Sequence, residues 1–114
     1  MATPVDPDFR ARLAALNDKF AVTVPATMEK IGLALAGCGA EPTAAALHQL
    51  HELLHGVAGS AGTFGFATLG NQCRRIEQMV RGVMAGNGEW SAVIPEVNKL
   101  LQWAATDARA ENYD

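Results

Sequence analysis

A chain of 114 residues, 49% of them hydrophobic, builds one core and leaves no room for an accessory domain. Its formal charge of −3 argues against nucleic acid as the main partner, because a phosphate backbone draws basic faces. No window approaches the roughly eighteen apolar residues a membrane helix needs, and the opening MATPVDPDFR lacks the apolar centre of a secretory leader, so the expected address is the cytoplasm, with no membrane partner.

Many alanines, few β-branched runs and long stretches of 3.6-residue periodicity predict an all-α fold. Residues 1–7, with Pro4 and Pro7, read as a short arm, after which Asp8 opens the first helix. Phe9, Leu13, Leu16 and Phe20 form its apolar stripe, which Val24, Met28, Ile31 and Leu35 continue. Pro25 removes a backbone donor and crowds the preceding turn, so two consecutive helices or one kinked helix are expected here, ending at Gly37-Cys38-Gly39. Glu41-Pro42-Thr43 starts the next helix, which runs to about Gly62 before a tight bend near residues 63–65. A third helix carries Leu69, Cys73, Ile76, Val80 and Val83 on one side, with Arg74, Arg75, Gln78 and Arg81 facing elsewhere, and Ala85-Gly86-Asn87-Gly88 breaks it. The last helix opens near Trp90, with Ser91 as its cap, and places Val93 or Ile94, Val97, Leu101 and Ala104 inward. Residues 108–114 read as a fraying polar tail. The sum is a single domain: an up-and-down four-helix bundle with an additional short or kinked N-terminal helix. Cys38 and Cys73 match no C-x-x-C spacing, and Cys73 on an apolar stripe reads as a buried free thiol.

The second helix carries two patterns at once. Leu47, Leu50, Leu54, Val57, Ala61 and Phe64 recur at steps of three and four, which is the stripe an amphipathic helix buries. His48, His51, His55, Ala58, Gly59 and Gly62 fall on the row beside it, and beyond His55 that row is nearly bare. Gly56, Gly59, Gly62 and Gly65 sit where the stripe says helix, at a cost of about 1 kcal/mol for each interior glycine relative to alanine. A helical side chain leans toward the N-terminus, so the residue four after His55 would shade its ring; that residue is Gly59. The row therefore reads as one imidazole standing on a smooth face, open to another protein's active site.

From His55 through Gly65 (HGVAGSAGTFG) the chain resembles the H-x-L-K-G-S-x-x-x-x-G signature of histidine phosphotransfer (HPt) domains of two-component phosphorelays. Leu69, Cys73, Ile76 and Glu77 resemble the L-x-x-x-[CA]-x-x-L-E that follows it. The resemblance implies that His55 accepts a phosphoryl group from a receiver aspartate or a hybrid histidine kinase and passes it to another receiver aspartate. It implies a monomer with no cofactor of its own, the receiver bringing Mg2+, a lysine and the acidic pocket. Nothing in the chain resembles a nucleotide-binding loop, so no autonomous kinase activity is expected. His51, Ala58, Gly59, Gly62, Arg74 and Arg75 are the expected partner-binding residues around His55. The sequence departs from the family at Ala58, where a lysine usually stands; one of Arg74, Arg75 or Arg81 would then have to supply positive charge.

Two other readings come from the same residues. The missing lysine fits an HPt-like adaptor that binds a kinase or receiver without carrying phosphate. HELLH, residues 51–55, matches the H-E-x-x-H pattern of zinc hydrolases, with Glu77 as a conceivable third ligand. Its longer form fails, because Ala58 and Ala61 occupy the places of the glycine and the third histidine, and no metal site is expected.

Overall fold

The computed structural model describes residues 7–114; the reading of residues 1–6 as an arm lies outside that range. Four α-helices follow one another: α1 (Pro7–Cys38), α2 (Ala44–Ser60), α3 (Ala67–Met84) and α4 (Trp90–Asp107). A 3-10 turn, Ala61–Phe64, joins α2 to α3. Each helix packs against its neighbours in sequence and α4 returns to α1, so the four close into a ring around one core. No strand occurs among the described residues, and no helix there is long and apolar enough to cross a membrane. Ile31, Leu50, Leu54, Leu69, Ile76, Val93, Val97 and Leu100 are completely enclosed. Cys73 lies among them, and burial pushes its thiol up to about 12.

Pro25 does not divide α1. The helix runs through it for 32 residues, about 48 Å at 1.5 Å per residue, and there is no separate N-terminal helix. Val24, Met28 and Ile31 are buried on both sides of the proline, and packing of this face outweighs the one backbone bond that the missing N–H removes. The first half of the predicted stripe is not core. Phe9, Leu13 and Leu16 are exposed, and inward packing begins at Phe20, whose ring stacks on Phe64 at 5.2 Å and meets Phe66 edge-on at 5.0 Å. The start of α1 therefore runs on past the end of the bundle, which measures 56 Å along its longest axis against 28 and 26 Å across it.

Thr43 caps α2, its hydroxyl accepting from the Ala46 N–H at 3.1 Å. The α-helix ends at Ser60, two residues before the predicted stop, and Gly65 turns the chain in the left-handed region at φ 89°. Ser91 is not the cap of α4. Glu89 holds that position without a side-chain bond, and Trp90 fixes the start of the helix instead, its indole N–H donating to the Gly39 carbonyl at 2.9 Å. Leu100 rather than Leu101 is the fully enclosed residue of that turn.

Residues 108–114, predicted to fray, lie against the bundle. Thr68 donates to the Glu111 carbonyl at 3.0 Å, and the Trp103 indole donates to the Asn112 carbonyl at 2.7 Å. Tyr113 packs edge-on to Trp103, with the Lys99 ammonium 4.5 Å from its ring centre. An aromatic residue near the end of a polar tail supplies the apolar contact that the composition alone concealed.

Candidate functional site

The site is a seam between two antiparallel helices. α2 and α3 approach closely because Gly70 faces Gly62: a Cβ on residue 70 would stand 3.3 Å from the Gly62 nitrogen and 3.4 Å from the Ala61 Cβ. The tight contact falls on Gly70, whereas side chains added at Gly56, Gly59 or Gly62 would meet nothing within 4 Å. The side of α2 where a Cβ on Gly56 or Gly59 would point thus faces open space.

With the helices this close, His55 on α2 lies opposite Glu77 on α3. The imidazole is 62% exposed, and its Nδ1 lies 2.9 Å from Oε1 of Glu77, a side chain only 6% exposed. Burial is the largest single influence on Glu77 and pushes its pKa up; the hydrogen bond from His55 and the electrostatic pull of His55, His51 and Arg81 together outweigh it and hold the carboxyl below its ordinary value. Glu77 is therefore ionised at neutral pH and can only accept, so the proton of that bond sits on Nδ1 of His55. In the neutral ring this leaves the lone pair on Nε2.

Two more groups address the same carboxylate oxygen. The Arg81 guanidinium donates to Oε1 at 3.1 Å. His51, one turn before His55, stacks on it with ring centres 5.8 Å apart and planes 14° from parallel. Its Nε2 comes within 3.0 Å of Oε1, but off line, and both of its ring nitrogens are buried without a hydrogen bond. His51 is 12% exposed, so it backs the His55 ring and offers a partner little surface of its own.

The remaining predicted residues divide. Ala58 is buried against α3, so its side chain is not a contact surface as expected; its carbonyl accepts from the Arg74 guanidinium at 3.2 Å. Arg75 is turned away from His55 toward α4, pairing with Glu96 at 2.6 Å and bonding Gln72. Ser60 bonds back to the Gly56 carbonyl within its own helix. Sequence reasoning named Arg81 only as one of three arginines able to supply positive charge, and Glu77 only within the family pattern and as a conceivable third zinc ligand; it did not pair either with His55. A signal was present: Glu77 follows Ile76 on the buried side of α3, where a carboxylate needs a partner, and two histidines one turn apart on α2 supply it.

His51 and His55 both turn to Glu77, Glu52 lies 3.9 Å from His48 and 3.7 Å from His51, and no group of three His, Cys, Asp or Glu among the described residues is placed to hold an ion. An apolar groove of about 240 Å³ between α1 and α2, lined by Phe20, Val24, Leu53, Val57 and Leu69, does not include His55. The His55 ring stands on an open surface.

Comparison with curated proteins and with solved structures returned no match. The family model of the Hpt domain matches residues 15–108, which take in α1 from residue 15 onward, the other three helices and the whole of the seam. An all-helical bundle carrying an exposed, carboxylate-anchored histidine on its second helix thus belongs to the Hpt domain family, whose members pass phosphoryl groups in two-component phosphorelays and meet receiver domains and kinases.

Proposed function

We propose that His55 is the phosphoryl acceptor and that its direct partners are aspartyl-phosphate receivers. The Nε2 lone pair attacks the phosphorus of the receiver's aspartyl phosphate. The N–P bond forms as the P–O bond to the carboxylate breaks, and the aspartate leaves with the electron pair. No proton needs to depart, because the positive charge that develops on the ring lies against the Glu77 carboxylate holding Nδ1–H. Return of the group to a second receiver is the same step reversed. Phosphoryl transfer demands mainly in-line positioning and charge stabilisation, and the chain supplies a fixed ring while the receiver supplies the acidic pocket and its Mg2+.

The observation that carries this reading is the exposed Nε2 on a ring whose other nitrogen is fixed by an ionised, buried carboxylate. Incubation with a phosphorylated receiver tests it. The wild-type chain is expected to take up acid-labile label and His55→Gln none; undiminished label on the variant refutes the assignment. Equal regulation of a reconstituted relay by both proteins would instead make the chain an adaptor.

A further inference from the structure

We infer that Arg74 is the residue that receives the phosphoryl group's charge once it is on His55, in place of a cation on α2 itself; the inference rests on His55 being the acceptor. Charge accounting along the seam singles it out. A phosphoryl group brings about two negative charges to a ring already resting on an ionised carboxylate. Arg81 is committed to that carboxylate, Arg75 to Glu96 and Arg109 to Asp18. Arg74 differs: among the described residues no carboxylate lies within ion-pair distance of it, and its one bond is to a neutral carbonyl.

Its position fits. The contacts His55 to Glu77 and Ala58 to Arg74 are three residues apart on each of two antiparallel helices, so the guanidinium lies about one helical turn along the seam from the ring. The side chain is exposed and donates through a single nitrogen at 3.2 Å. The rest of its planar fork is free, and that fork matches the oxygens of a phosphoryl group. Ala58 is what permits this, since its small side chain is buried in the seam and leaves the carbonyl within reach of the α3 arginine. Phosphoryl oxygens on His55 Nε2 then draw the guanidinium from a neutral acceptor to a charged one, which is the stronger hydrogen bond.

The test is the rate of transfer from a phosphorylated receiver to the full chain carrying Arg74→Gln, Arg74→Lys, or Arg74→Gln with Ala58→Lys. Glutamine keeps a donor for the Ala58 carbonyl and removes the charge. Transfer should fall roughly 10- to 100-fold in Arg74→Gln, the range of one charged hydrogen bond, fall less in Arg74→Lys, which keeps the charge and loses the fork, and recover in the double variant, where a lysine on α2 restores the cation. Melting followed by circular dichroism checks that the fold is kept; if the glutamine variant melts early, Arg74→Met, which retains the alkyl stem, replaces it. An uncharged variant that transfers within twofold of wild type overturns the inference while leaving His55 as acceptor, as does an equal loss in Arg74→Lys. A wild-type chain that takes no label refutes the acceptor and the inference together.

Discussion

Leu54 and Leu13 are the same residue on helical stripes of the same spacing, and their fates differ completely. Leu54 is 0% exposed, in the middle of α2, with α1 and α3 on either side. Leu13 is 39% exposed, on the part of α1 that runs past the end of the bundle. Periodicity fixes which residues share a face of a helix, but what covers that face depends on how far the neighbouring elements reach. α2, α3 and α4 have 17 or 18 residues each, whereas α1 has 32, and Phe9, Leu13 and Leu16 in its surplus length are exposed. The seam and the overhang thus begin from one sequence pattern and end as core and as surface.

Denaturant unfolding measures that contrast directly. Leu54→Ala is expected to cost about 2–5 kcal/mol, the range for truncating an enclosed leucine. Leu13→Ala should stay within about 0.5 kcal/mol, as surface substitutions do. A Leu13 loss approaching that of Leu54 would mean that the overhang is covered in solution.

A smaller effect separates two glycines of the seam. Gly70→Val forces a side chain against the Gly62 backbone and the Ala61 methyl, and overpacking of this kind costs about 1–3 kcal/mol. Gly59→Ala places its methyl in open space and should stabilise α2 by up to about 1 kcal/mol through helix propensity. If both substitutions shift the unfolding midpoint in the same direction, close approach is not what Gly70 provides.

Much of this was legible before any coordinates. The four helices, the helix start at Glu41-Pro42-Thr43, the tight bend near residues 63–65 and the row of His51, His55 and Gly59 follow from spacing and local chemistry. What escaped depends on pairing across helices. That Arg75 turns to Glu96 while Arg74 turns to Ala58 is set by the register of α3 against α2 and α4, and neighbouring arginines look alike in a linear sequence. Whether α1 was one helix or two stayed open for a related reason: the local cost of Pro25 is visible in the sequence, and the burial of Val24 and Met28 around it is not. The docked tail depends on Tyr113 finding Trp103, a contact between α4 and a segment with no periodicity of its own.

The last test bears on the seam alone and is the smallest in size. The folded-state pKa of Glu77 lies below its ordinary value of 4.5. The unfolded chain therefore binds the proton more readily, and the stabilisation from the ionised carboxylate is complete above about 4.5 and lost as pH falls through the folded pKa. The groups facing that carboxylate are His51, His55 and Arg81. Glu96 titrates in the same direction because of its hydrogen bond with Arg75, so a single acid melt cannot isolate Glu77. Comparison with Glu77→Gln can, because Glu96 is common to both proteins. Wild type should melt above the variant at pH 6, and the gap should narrow steadily as the pH is lowered past 4.5, since a protonated glutamate resembles glutamine in charge. A gap of constant width from pH 6 to pH 3 would mean that the carboxylate's charge does not hold the two helices together, and the geometry that fixes the Nδ1 proton of His55 would need another cause.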